Sequence, residues 1–273
     1  MTPIMQAIML SLLGLGVAGL AQAQAPSLRS DLAGYQVTLL STLPAAPMGA
    51  VQDCAGAPAR YPAGKAVAAA GWQVISETSM GGYGVVTFAA QSSQGPQGIC
   101  EFAKGNLGIF RDDRLVGLFW NRDEDDSLFG PLQADKDGVI TLRSAAFPLV
   151  PVAELAYREG GFVLQALLAM LIGCEGRAEV PQLWLEPIGK MRERLIALGW
   201  TPVPAAATDP VATDMQARGF PEAESCSGTG LNHCSFDYAS PQARLRIITL
   251  GEMGDEYEPM VADHELTCLA TAQ

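Results

Sequence analysis

Basic residues are scarce in this chain. Lysine and arginine number 17 against 29 aspartates and glutamates, a formal charge of −12 at pH 7. An acidic surface repels nucleic acid and anionic lipid head groups, so nucleic-acid binding is excluded. The same charge favours a cationic envelope or extracellular protein as partner, although acidity also serves solubility alone. Histidine is scarcer, with only His233 and His264. A histidine-based metal site would need both, together with acids such as Glu265. His264 on an apolar strand face reads more simply as a hydrogen-bonded core residue. No Cys-x-x-Cys occurs, which argues against a thioredoxin-like role and against a zinc ribbon. There is no Gly-x-Ser-x-Gly elbow, and no phosphate loop or dinucleotide fingerprint follows a strand.

No charged residue precedes Arg29. Met5 to Leu20 is almost wholly apolar, and Ala21-Gln22-Ala23 is a small-x-small cleavage site. Residues 1–23 therefore read as a signal peptide cut after Ala23, and the chain as periplasmic or secreted. A lysine or arginine near Met1 is missing, and the alternative is an uncleaved N-terminal anchor. No cysteine follows the apolar run, which argues against a lipid anchor. Removing 23 of 273 residues leaves 250, enough for one large or two ordinary domains. The mature chain carries no transmembrane span, since the apolar run from Phe162 to Ile172 is too short.

Two segments begin Pro-x-Gly-Lys and end Gly-Trp, at Pro62 to Trp72 and at Pro187 to Trp200. Proline suits a helix start and glycine the left-handed residue just past its end. The tryptophan then folds back on the last turn, Trp72 onto Val67 and Trp200 onto Leu195. In the second helix Ile188, Met191, Leu195 and Leu198 share one face. The recurrence suggests two related halves, or the chance reuse of a common helix stop.

The first half reads as β. Tyr35 to Leu39 alternates, and Val86, Phe88 and Ala90 alternate with Val85, Thr87 and Ala89. Leu107 to Phe110 and Leu115 to Trp120 flank a turn at Arg111 to Arg114. Gly138 to Leu142 is another strand. Val152 to Tyr157 and Phe162 to Leu167 flank the turn Arg158 to Gly161. These predict a meander of five or six antiparallel strands with one helix against it. Phe162 to Ile172 continues as a buried strand into a boundary at 172–178. In the second half Asp209 caps a short helix begun by Pro210 and stopped by Gly219. Strands follow at Leu245 to Leu250 and at Met260 to Cys268. In the last, Met260, Ala262, His264, Leu266 and Cys268 face the core. The fold class is α+β. Two small disulfide-stapled domains, 24–172 and 173–273, each carry an antiparallel sheet with one or two helices.

Six cysteines in an exported chain imply disulfides. One scheme pairs Cys54 with Cys100, Cys174 with Cys268, and Cys226 with Cys234. Repeat logic gives a rival, Cys174 with Cys226 and Cys234 with Cys268.

Ser225, Ser227, His233 and Asp237 supply the residue types of a nucleophilic site. The glycines of that loop are explained by its turn, so no catalytic residue is assigned. Ser227, Thr229, Leu231, Asn232 and His233 are instead a possible binding loop. Asp135 and Asp137 imitate part of a calcium loop, and Asp123 and Asp125 lie in a second acidic cluster. A weak calcium site across the two is one reading, and plain solvated turns the other. No other cofactor is implied.

Residues 186–268, through Glu224-Ser-Cys-Ser-Gly-Thr-Gly and the preceding Leu-Gly-Trp, resemble a family of small exported proteobacterial proteins to which no activity is assigned. That resemblance implies fold and export only. The cysteine hairpin at 226–234 and the twofold helix stop are also similar to the β-lactamase inhibitor proteins, whose two units each join a helical part to a four-stranded sheet. Strand lengths and loops differ, so no binding residue carries over. The leading expectation is a non-enzymatic, inhibitor-like envelope factor that binds another protein. The alternatives are an exported hydrolase using carboxylates or calcium, and a structural envelope domain.

Overall fold

A computed structural model describes residues 25–49, 52–122, 128–134, 139–227, 230–254 and 257–270. The expected leader at 1–23, Thr229 and the four aspartates proposed for calcium (123, 125, 135 and 137) lie outside them. In chain order the elements are β1 (Ser27–Ser30), β2 (Tyr35–Thr38), α1 (Pro62–Ala69), β3 (Gln73–Met80), β4 (Tyr83–Gln94), β5 (Cys100–Arg111), β6 (Arg114–Asn121), β7 (Leu132–Ala134), β8 (Val139–Arg143), β9 (Pro151–Arg158) and β10 (Gly161–Gln165). Next come β11 (Met170–Gly173), β12 (Ala178–Pro181), α2 (Ile188–Ala197), β13 (Thr201–Pro202), α3 (Pro210–Ala217), β14 (Ala223–Cys226), β15 (Cys234–Ala239), β16 (Ala243–Leu250) and β17 (Met260–Cys268). The architecture is α+β with strands predominating. No helix among the described residues is long and apolar enough to cross a membrane.

The first half is not the single meander expected from its hairpins. Its strands divide between two sheets, ordered β2-β6-β5-β4-β3 and β1-β10-β9-β8-β7. The physical reason lies in β4, which is apolar on both sides, as a strand covered on both faces must be. Val85, Leu107, Ile109 and Phe119 pack against Ile140, Leu142, Leu155, Phe162 and Leu164 of the second sheet. On the opposite side Val86, Phe88 and Phe110 pack against Ala63 and Val67 of α1. The result is three layers: helix, sheet, sheet. β1 closes one edge by pairing parallel with β10.

β10 ends at Gln165 and does not run on as a buried strand. Met170–Gly173 turns back on Ala178–Pro181 as a separate hairpin. Leu168 and Ile172 are 59% and 63% exposed, which corrects the burial expected for this run. The boundary expected at 172–178 coincides with the turn of that hairpin.

In the second half β13-β15-β16-β17 form one sheet, with β14 also paired to β15. Its core joins Ile188, Met191, Leu195, Trp200, Met215, Phe236, Tyr238, Leu245, Ile247 and Val261. Among the described residues the α-helices α1, α2 and α3 stop alike. Gly71, Gly199 and Gly219 have φ of 86°, 85° and 103°. The N–H of the aromatic residue that follows reaches back to the last turn, from Trp72 to the Val67 carbonyl, Trp200 to Leu195 and Phe220 to Met215. Pro187 occupies the cap position of α2, one residue before the helix proper. Asp209 caps α3 as expected, its Oδ1 accepting from the Ala212 N–H at 2.8 Å and its Oδ2 from the Cys226 N–H at 2.6 Å. Burial alone would raise its pKa, but these and other N–H donors outweigh that and hold it below 3.8.

The order α1-β3-β4-β5-β6 and the order α2-β13-β15-β16-β17 both describe a helix followed by a four-strand meander. The second has α3 and β14 inserted. The disulfides join Cys54 to Cys100, Cys174 to Cys268 and Cys226 to Cys234. They do not repeat between the halves. One face assignment changes. The register of β16 with β17 shifts between Ile248 and Thr249, which pairs Thr249 with Val261. This bulge turns Val261 inward and leaves Met260 41% exposed, while His264 stays on the inner side.

Candidate functional site

The outer face of the second sheet is polar at one end. Along β8, Thr141 and Arg143 alternate with the buried Ile140 and Leu142, and Glu154 of β9 lies opposite Thr141. Gln165 of β10 stands beside Glu154 and donates from Nε2 to its Oε2 at 3.1 Å. The chain leaving β10 then crosses this face, tied by the Leu168 N–H to Glu154 Oε1 at 3.4 Å. β17 and the segment after β12 close the opposite side, where Trp184 packs at a tilt against His264 with ring centroids 4.7 Å apart.

Between them lies a cavity of about 300 Å³. Its apolar lining comes from Leu167, Leu168, Leu171, Pro181 and Trp184. Its polar lining comes from Thr141, Arg143 and Glu154 on the sheet side and from Asp263 and His264 on the β17 side. Arg143 is held in place by bonds to the Leu149 carbonyl at 2.6 Å and to Gln133 Oε1 at 3.1 Å. Nδ1 of His264 is buried and has no hydrogen-bond partner among the described residues. Leaving such an atom unpaired is costly, and a ligand that reaches it recovers that cost.

Burial lowers the pKa of His264, against the opposing pull of the Asp263 carboxylate. The folded protein therefore holds the ring neutral where the unfolded chain binds a proton. Stability from this group is full above about pH 6.5, the ordinary histidine value, and falls as pH drops from there toward the lowered native value. Arg143, Glu154 and Asp263 face the same cavity, and none removes the burial. We expect wild type to lose denaturation midpoint between pH 7 and 5 more steeply than His264→Phe. Parallel slopes for the two proteins would show that His264 does not report this environment.

No family model, curated protein or solved structure matches the chain. The site is accordingly read from its own geometry.

The described residues of the loop predicted to bind are joined to their neighbours by backbone hydrogen bonds. The Ser227 N–H donates to the His233 carbonyl at 2.8 Å, and the Gly251 N–H to the Leu231 carbonyl at 2.9 Å. Leu231 and Asn232 are half-buried, and only Ser227 and His233 of the described members are open. His233 borders a second cavity of about 280 Å³ with Phe147, Leu149 and Leu250, on the far side of Asp263 from the first. The serine, histidine and aspartate of this region do not assemble into a relay. Ser227 Oγ accepts from the backbone N–H of His233, not from its ring. Ser225 Oγ pairs with Ser235 Oγ, and both oxygens of Asp237 are bound by Arg246. Among the described residues no three histidines, cysteines or acids are grouped to hold a metal.

The Trp184–His264 cleft was not anticipated. The alternation of Thr141 and Arg143 with apolar neighbours marks a polar sheet face in the sequence. Nothing local shows that a second sheet and a tryptophan close over it.

Proposed function

We propose that this is an exported binding protein, non-catalytic in its own right, that holds a segment of another polypeptide in the Trp184–His264 cleft. The observation that carries this is the mixed lining, exposed apolar side chains beside polar groups. Leu168 and Leu171, 59% and 45% exposed, line the cleft together with polar groups, one of them, His264 Nδ1, unpaired among the described residues. Solvent-exposed apolar surface rimmed by polar residues marks interaction sites. An extended peptide matches it, its apolar side chains meeting the leucines and its backbone or basic groups the polar lining. Glu175, Glu179 and Glu265 are exposed on the hairpin and on β17, and the net charge of −12 favours a basic segment. Three disulfides support export to an oxidising compartment. A two-domain organisation is part of the reading, because the apolar clusters divide cleanly between residues 28–164 and 174–266.

The test is selection of peptides from a random display library on the purified protein. We expect enrichment of sequences that join large apolar residues to lysine or arginine. Their affinity should fall at least tenfold, about 1.4 kcal/mol, in the Leu168→Asp/Leu171→Asp variant. Selected peptides that bind wild type and this variant equally would place the site elsewhere.

A further inference from the structure

The face of the first sheet that α1 covers is larger than α1. β4 and β5 run twelve residues each, about 40 Å. The helix has eight and reaches about 12 Å. It lies over the Gly84 end, where a side chain on Gly84 would collide with Ala63. Further along, Phe88, Asn106 and Trp120 stand side by side on β4, β5 and β6. Two strand spacings, about 10 Å, therefore separate Phe88 from Trp120. Trp72 sits edge-on against Phe88, with centroids 5.2 Å apart. A cavity of about 300 Å³ opens between Trp72 and Trp120, bordered by Lys104, Asn106, Asn121 and Arg122.

Both indole N–H groups are already used. Trp72 donates to the Pro44 carbonyl at 2.8 Å and Trp120 to Thr38 Oγ1 at 2.9 Å. These bonds fix the rings and leave ring surface, not the N–H, for a ligand. Asn106 is fixed as well, its Nδ2 donating to the Lys104 carbonyl at 3.2 Å. Lys104 holds φ of 56° inside β5. Any residue with a Cβ resists that angle, and such outliers gather at binding sites. Lys104 and Arg122 add cationic side chains to the lining.

We propose that this cavity is a saccharide-binding site. The C–H face of a pyranose packs on a fixed indole ring, and its hydroxyls take hydrogen bonds from amide and cationic side chains. Two indole rings bordering one cavity suit a short oligosaccharide rather than a single sugar. A proline-rich peptide is the competing ligand. Its proline carbonyls are read by donors such as indole N–H, and here the chain's own Pro44 and Thr38 occupy both.

The test is calorimetric titration of the whole protein with cellotetraose, the β-1,4 tetramer of N-acetylglucosamine, tetragalacturonate and decaproline. At least one tetrasaccharide should bind with a Kd below about 1 mM. Trp120→Ala should weaken it about tenfold or more. Asn106→Ala should weaken it at least about threefold with the thermal midpoint unchanged, which separates lost recognition from lost fold. The Leu168→Asp/Leu171→Asp protein should bind the sugar like wild type, so this site and the peptide cleft stand or fall separately. Three results overturn the proposal: no tetrasaccharide bound at about 10 mM, equal binding by wild type and both pocket variants, or displacement of the sugar by decaproline.

Discussion

Glu222→Ala should cost this protein about 3 kcal/mol or more, because it breaks a buried ionic cluster by removing one partner. The Glu222 side chain is wholly buried. Its Oε1 accepts from Arg192 Nε at 2.8 Å and from the Tyr238 hydroxyl at 2.7 Å. Arg192 belongs to α2 and Tyr238 to β15, so one carboxylate ties the helix to the sheet beneath it. Burial, and then the charge of Glu222, push the Tyr238 hydroxyl far above its ordinary pKa, and it stays a donor at every accessible pH. Removing the carboxylate leaves a buried hydroxyl unpaired and a guanidinium only 30% exposed without its counter-charge. Tyr238→Phe should cost about 1 kcal/mol, since it deletes one hydrogen bond and no charge. Glu222→Met combined with Arg192→Met should recover most of the loss, because an apolar pair needs no desolvation of ions. Urea denaturation measures all three. A Glu222→Ala midpoint matching that of Tyr238→Phe would mean that the charge contributes nothing beyond the hydroxyl bond.

Glu222 also shows where the sequence stops being readable. It stands two residues from Glu224, and the two look alike in the chain. Glu222 goes inside to Arg192, while Glu224 goes outside to Arg246 at 2.8 Å. That difference depends on the pairing of β14 with β15 and on how α2 lies, both non-local. The helix stops at Gly71, Gly199 and Gly219 were legible because a glycine in a left-handed conformation and the aromatic residue after it act within six residues. The Asp209 cap and the Cys226–Cys234 hairpin were legible for the same reason. The division of the first half into two sheets was not, since hairpin signals define neighbours and not which sheet a strand joins. β17 shows the intermediate case. Its alternation places His264 correctly, and a bulge two residues earlier reverses Met260 and Val261. The Trp184–His264 cleft and the Trp72–Trp120 cavity sit where such long-range choices meet, which is why neither could be named from spacing.

The largest effect we expect comes from the Cys174–Cys268 bridge. It spans 94 residues, against 46 for Cys54–Cys100 and 8 for Cys226–Cys234. In the chain-entropy model closing such loops removes about 4.7, 4 and 2.5 kcal/mol of freedom from the unfolded chain, in that order. Paired alanine substitutions should therefore rank the same way in urea, with Cys174→Ala/Cys268→Ala the weakest protein. This bridge has a second consequence. Cys174 begins the turn of the β11–β12 hairpin and Cys268 ends β17, so it pins part of the apolar lining of the cleft to the strand that carries His264. Peptides selected on wild type should lose affinity for this variant under conditions where it is still folded. The Cys226–Cys234 variant, although less stable than wild type, should bind them unchanged. If both variants bind alike, the hairpin's position does not depend on the bridge, and the cleft is held by packing of Val180 and Leu183 in the core instead.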